Sequence, residues 1–528
     1  MKDLKRRFRG GLVFCAVPLL ALLACTSTVI DTPPVDSTSP RRGGMIRIAQ
    51  IGEPPSLDVM ATTAGITTIE TASIYEGLFT LDSQLVPQPS LAQSYQIEDQ
   101  GLRWVIALRK GVHFHNGQEM TSDDVLASLN RWGKACTAGR ILFKNLASMD
   151  APDRYSIVIH LKKPMPVVAN LLAVPQNQAA IYPKSIIDAT RDGLLQQYVG
   201  TGPYKFVVWK PGQYIELARF NEYQARSEPA DGMAGRREAY SDSIRFFPVS
   251  EVQQRVQGVL TGLYDYSTNI SPDFYLGIQA THSVDGMIIK PYSMPVIVFN
   301  KKLGIFNNLK MRQAVQAAAD VQAMMKAAYG DPMFYRADPS LFFKETQWWS
   351  DTGKASYNRN DPVTAKRLLQ EAGYHGQTVR ILATHEYEFI FKIATVLKSQ
   401  LAAVGVHAVL EVVDWATVVQ RRGDPAAYDI FITQMVWNFD PVDAPYLESS
   451  WPGWWDNVRK DALVEQIAME TDYRKRLDLI SQLQQAFYED VPLLKVGDYF
   501  DLRIKGKKLQ GAGLNAQIPY YFNSWLSR

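Results

Sequence analysis

The sequence predicts a mixed α/β protein assembled from more than one unit. Three observations carry this expectation: strand patterns dominate residues 76–165 and resume after Gly200, helices alternate with short apolar strands from about 300 to 436, and 528 residues give ample length for several cores. With 46% hydrophobic and 21% charged residues, the chain has the balance of a globular protein, neither disordered nor embedded in a membrane.

The chain opens on Lys2, Lys5, Arg6, Arg7 and Arg9 against a single acid, Asp3. An apolar run of 14 residues follows at 11–24, interrupted by Pro18 and too short to span a bilayer, so 1–24 read as a signal peptide. The run ends in Leu22-Leu23-Ala24-Cys25, which resembles the bacterial lipobox and makes Cys25 the expected lipidation site. Residues 25–40 are rich in Ser, Thr and Pro and read as a tether, because they hold too little apolar surface to pack. Without the leader the net charge falls from +3 to −1, with 51 basic residues facing 52 acidic ones. That balance gives no global electrostatic case for nucleic acid. Of three cysteines only Cys136 would remain free, so no intrachain disulfide is expected.

Residues 45–51 alternate apolar and polar side chains as a strand does, and Gly52 and Pro54-Pro55 stop them. Another strand is expected at 101–109, then a turn at Asn116-Gly117, then a helix beginning at Thr121-Ser122-Asp123-Asp124 with capping-box spacing. Gly200-Thr201-Gly202-Pro203-Tyr204 leads back into strands that reach about Asn300. Beyond them a helix pattern covers 308–329 and another follows Asp361-Pro362, an N-cap with proline at the first helical position. A strand (378–383), a helix (387–404), a strand (406–412), a short helix (415–421) and a strand (428–436) then form a βαβαβ run, which predicts a parallel sheet.

Parallel sheets bind ligands beyond the carboxyl ends of their strands, where loops and helix N-termini converge. Three polar residues fall there: His385 after the first strand, Asp414 after the second and Asp440 after the third. Asp414 is most simply the cap of the helix at Trp415, and Asp440 could cap a turn at Pro441-Val442. Trp437 lies on the same edge three residues before Asp440, which makes it the tryptophan to assign to a binding wall. Catalytic signatures are scarce: the nucleophile-elbow and phosphate-loop patterns are absent, and His385-Glu386 lacks the second histidine of a zinc-protease helix. His113-x-His115 reads as a polar strand face entering a turn. No cofactor, metal or catalytic residue is expected.

Several segments together resemble a known family: GGMIRIAQIGEPPSLD (43–58), the stretch 75–125 with LRKGVHFHNGQEMTSDDV, GTGPYKF (200–206), FNNLKMRQAVQAAAD (306–320) and YNRNDPVTAKRLLQEAGY (357–374). They are similar, from about Gly43 to Trp525, to the bacterial extracellular solute-binding proteins of family 5, the dipeptide- and oligopeptide-binding receptors of ABC importers. The resemblance implies a two-lobed periplasmic binding protein-like fold, type II, in its large three-domain variant with mixed sheets and a hinge. Segments 41–76, 201–293 and 496–528 would form a discontinuous domain I, 77–200 an inserted domain II, and 294–495 the second ligand-binding lobe. In peptide-binding relatives a Trp-x-x-Asp segment supplies an aromatic wall and the carboxylate for the peptide ammonium, and Trp437 and Asp440 match it. The dipeptide pattern has an arginine near Ala383-Thr384-His385-Glu386, where His385 is the nearest cationic residue. Related members bind nickel, haem, opines or sugars.

The expected protein is thus a periplasmic, lipid-anchored monomer that encloses an amine-bearing solute, a di- or oligopeptide, and delivers it to an ABC permease without chemistry of its own. A secreted hydrolase or a periplasmic chaperone using the same interdomain cleft are the competing classes.

Overall fold

The computed structural model describes residues 39–190, 193–436, 440–515 and 517–527, so Cys25 and Trp437 lie outside the described residues. The chain from Pro40 onward forms one unit, and a long mixed sheet runs through it. One half of that sheet orders Tyr204–Lys210, Tyr214–Arg219, Ser243–Pro248, Met45–Gln50, Tyr266–Ile270 and Asp498–Gly506. The other half orders Val284–Phe299, Ile430–Val436, Val379–Ala383 and Ala408–Val412.

Met45–Gln50 sits parallel to both of its neighbours, with Ile46 opposite Ile244 and Ile48 opposite Tyr266. Ile46 and Ile48 are fully buried, as the alternation of apolar residues in this strand requires. The βαβαβ run is present: Val379–Ala383 lies between Ala408–Val412 and Ile430–Val436, parallel to both, with helices Glu388–Ala403 and Trp415–Arg421 as the crossovers.

The halves of the sheet join at two strands. Val284–Phe299 is 16 residues long; its first part pairs with Asp498–Gly506 and its last part with Ile430–Val436. The register breaks between Ile289 and Ser293, so the strand bends where it passes from one half to the other. The fold is two-lobed, of the type II periplasmic binding protein kind, and these strands cross between the lobes.

A separate four-stranded antiparallel sheet, Ala92–Glu98, Arg103–Leu108, Ser156–Leu161 and Leu146–Asp153, lies inside residues 77–200. Helix Ser122–Ala135 accompanies it and begins with the expected capping box, the Thr121 N–H donating to Asp124 Oδ2 at 2.8 Å. The Gly200-Thr201-Gly202 turn packs so closely on the preceding chain that a Cβ at Gly200 would lie 2.1 Å from the Ile74 carbonyl oxygen, and one at Gly202 2.4 Å from that of Ser73. Close backbone approach, not phosphate binding, explains these glycines.

The helix expected over 308–329 is two helices, Leu309–Ala318 and Val321–Tyr329. Asp320 divides them: its side chain accepts from the Ala323 N–H at 2.9 Å and starts the second helix as an N-cap.

Candidate functional site

Two pairs of parallel strands, one pair from each lobe, end at one place. Met45–Gln50 and Tyr266–Ile270 run out into Ile51 and Ser271, while Val379–Ala383 and Ala408–Val412 run out into Thr384 and Val413. All four following residues line a cavity of about 620 Å³ between the lobes. Tyr499, on the crossing strand Asp498–Gly506, also lines it. The rule that α/β sheets bind at strand carboxyl ends is met here by both lobes.

The cavity wall is acidic: among its described lining residues Glu251, Asp273, Glu386, Glu388 and Asp414 stand against Arg255 and His385. Arg255 is already committed, because its guanidinium donates to the carbonyls of Val249 and Ser250 at 2.7 Å and of Asn269 at 3.0 Å. Burial lowers its pKa to about 10, which leaves it charged at neutral pH.

Glu386 occupies the seam between the lobes. Its Oε2 accepts from the Trp415 N–H at 2.7 Å and would lie 3.2 Å from a Cβ placed on Gly52 of the facing lobe. Burial raises its pKa above the usual carboxylate range, and the negative charges of Asp414 and Glu53 add to the rise. Glu53 comes from the facing lobe, where its Oε1 accepts from Trp209 Nε1 at 2.9 Å and from the Gly212 N–H at 3.0 Å.

The residues singled out by sequence part company here. His385 lines the cavity at its exposed edge, its ring centroid 4.0 Å from that of Phe391. Asp414 lines it too and caps helix Trp415–Arg421, accepting from Thr417 N at 2.9 Å; the Thr417 bonds hold its pKa down. Asp440 is not among the described residues lining this cavity. Its carboxylate, expected to be free for a ligand ammonium, is held by Arg476 Nη2 at 2.6 and 2.7 Å, and Oδ1 also accepts from the Val442 N–H at 3.2 Å. Arg476 itself donates to the Ile467 carbonyl and lies over Trp348, so the pair is enclosed within one lobe. The His113-x-His115 pair is a polar face as expected, with His115 tied to the glycine turn: Nδ1 accepts from Gly200 N at 3.2 Å and Nε2 donates to the Gly202 carbonyl at 2.9 Å. Among the described residues no three His, Cys, Asp or Glu side chains gather as a metal site requires.

A smaller cavity of about 50 Å³ adjoins the first, sharing Ile51, Asn269 and Tyr387 with it. Gln50, Thr63 and Ile66 of one lobe face Trp415, Arg422, Val436 and Trp451 of the other across it. Arg422 Nη2 donates to Thr63 Oγ1 at 2.9 Å across the seam. A second crossing contact puts Arg140 Nε 3.1 Å from Glu448 Oε2, an ion pair without hydrogen-bond alignment. Sequence reasoning missed Arg422, because Arg421-Arg422-Gly423 at a helix end reads as ordinary cationic termination.

Comparisons with known proteins agree with this geometry. The sequence model described as "Bacterial extracellular solute-binding proteins, family 5 Middle" matches residues 86–456. A probable peptide ABC transporter periplasmic-binding protein, y4tO, of Sinorhizobium fredii (strain NBRC 101917 / NGR234) is 28% identical over 491 residues, covering 88% of this chain and 90% of its own. The oligopeptide-binding protein AppA of Bacillus subtilis, solved with a nonapeptide, superposes with a TM-score of 0.80 at 21% identity, over 93% of this chain and 100% of its own. AgaA, a binding protein from A. tumefaciens R10 solved with agropinic acid, gives 0.79 at 22% identity, over 92% and 99%. With a match over most of its length, and with two lobes, crossing strands and a cavity between them, the chain belongs to the bacterial extracellular solute-binding proteins of family 5, the solute receptors of ABC importers.

Proposed function

We propose that the protein encloses a small amine-bearing solute, of which a short peptide is the fitting case, and hands it to its permease without catalysing a reaction. The carrying observation is the acid-walled cavity between the lobes, whose cationic counterweight, Arg255, is spent on backbone carbonyls. Its volume falls in the range of small-molecule sites, and a peptide ammonium would relieve the crowding of Glu386, Asp414 and Glu53. The name of y4tO and the peptide bound to AppA support the ligand class.

Within this reading His385 contacts the solute at the open rim. Trp437 supplies an aromatic wall, supported by its place directly after Val436, a lining residue of the smaller cavity. Asp440 caps the turn at Pro441-Val442 and is tied to Arg476. The layout of the sheets supports the division into 41–76, 201–293 and 496–528, an inserted 77–200, and 294–495. The leader supports export as a lipoprotein anchored at Cys25 on the periplasmic side.

Native mass spectrometry of protein purified from cell extract is expected to show a co-purified amine-bearing compound. Calorimetry with trialanine and its N-acetyl derivative tests the charge: acetylation and Glu386→Gln should each weaken binding about tenfold or more, the worth of a hydrogen bond to a charged group. Equal affinity for both peptides would overturn the amine assignment.

A further inference from the structure

We infer that Arg422 is an anion-recognition residue, and that the bound solute presents a compact carboxylate to it, beside the acidic space that takes its amine. This rests on the interlobe cavity being the solute site, as proposed above.

Arg422 is the only charged residue among the described residues lining the smaller cavity. It is 7% exposed, and no described carboxylate forms an ion pair with it. Arg312, Arg255 and Arg476, also buried, each hold two or more acceptors. Arg312 donates to the carbonyls of Phe306, Asn307, Asp490 and Val491. Arg255 binds three carbonyls and Arg476 a carboxylate and a carbonyl. Arg422 has one neutral hydroxyl, that of Thr63, and the face of Trp451 at 5.9 Å. A buried guanidinium carries a large desolvation cost that such partners do not offset. Burial lowers its pKa to about 10, so it remains a cation at neutral pH.

The surrounding groups ask for the same kind of ligand. Trp415, Trp451 and Gln50 line the same cavity, and Trp415 Nε1, Trp451 Nε1 and Gln50 Nε2 are buried donors with no partner among the described residues, against one such acceptor, Asn269 Oδ1. Unmade hydrogen bonds of this kind are costly, and here four donor groups share one small space. Gln50 comes from one lobe and the other three from the opposite lobe, so an acceptor held among them would tie the lobes together. A planar carboxylate matches the guanidinium fork in geometry and charge. At about 50 Å³ the space admits such a group and little more.

The test compares trialanine with its C-terminal amide, and with N-(1-carboxyethyl)alanine as a carboxylate-bearing amine that is not a peptide; glucose is the neutral control. Calorimetry on the wild-type protein should show the amide about a hundredfold weaker than the free acid, the loss typical of a broken buried charge pair. Arg422→Met should abolish that discrimination, while the ligand-free melting temperature stays level or rises because an unpaired buried charge is gone. If N-(1-carboxyethyl)alanine binds in an Arg422-dependent way and trialanine does not, the inference stands and the peptide reading falls. Equal binding of acid and amide to the wild type, discrimination surviving in Arg422→Met, or failure of every carboxylate probe to bind would overturn it. The acid-to-amide comparison on unmutated protein decides the matter even if the variant folds poorly.

Discussion

Asp440 and Arg422 are opposite cases of a buried charge. Asp440 looked available from its position past a strand end, yet its partner Arg476 stands 36 residues away on a separate helix. Arg422 stands at a helix end where a cation is commonplace, yet it faces the seam almost alone. Local chemistry is legible in sequence and long-range pairing is not. The caps at Asp361 and Asp414 were readable because donor and acceptor lie within three residues, at 2.9 Å in both cases. The Asp440–Arg476 pair yields a prediction. Asp440→Asn leaves Arg476 buried without its counter-charge, which typically costs ~3–5 kcal/mol. The ligand-free melting temperature should therefore fall clearly, with trialanine affinity changed far less. A variant that melts like the wild type but loses affinity would return Asp440 to the role of ligand anchor.

At the scale of elements, the βαβαβ run over 378–436 is legible to within two residues at each boundary, because apolar strands of five to seven residues alternate there with well-stopped helices. Over 308–329 the helical periodicity continues through Asp320, and only the capping bond reveals the break. The crossing strands were not legible as such: nothing in 284–299 says that its two ends pair with different lobes. Their junction rests on Asp501, fully buried, which accepts from Arg503 Nε at 2.6 Å, Tyr499 Oη at 2.9 Å and the Asn269 N–H at 3.1 Å. These bonds connect one crossing strand to Tyr266–Ile270 beside it. Asp501→Asn strands the buried Arg503 and should destabilise the protein by ~3–5 kcal/mol. Denaturant unfolding measures this. A midpoint shift of less than about 1 kcal/mol would mean that the junction is held by packing and not by this pair.

At the scale of the whole molecule, the seam sets a balance between lobes apart and lobes together. Contact between them brings Glu386 close to Glu53 of the facing lobe and buries it, and both effects raise its pKa. A carboxyl with a higher pKa in the contact state binds more protons there, so lowering the pH favours contact and raising it favours separation. An amine held among Glu386, Asp414 and Glu53 would act in the same direction at neutral pH, which makes ligand-driven closure a shift of an existing balance. Small-angle scattering of ligand-free protein should therefore show a smaller radius of gyration at pH 5 than at pH 7.5. Glu386→Gln should already be compact at pH 7.5 and respond less to pH. A wild-type radius that is constant or grows on acidification would show that the contacts Arg422–Thr63 and Arg140–Glu448, and not carboxylate crowding, govern the seam. The two mechanisms also differ in their response to salt. Screening weakens the partly exposed Arg140–Glu448 pair and so opens the lobes, whereas it eases repulsion among the carboxylates and lets them close. Compaction of the ligand-free protein on adding salt at pH 7.5 is the outcome expected of an acidic seam.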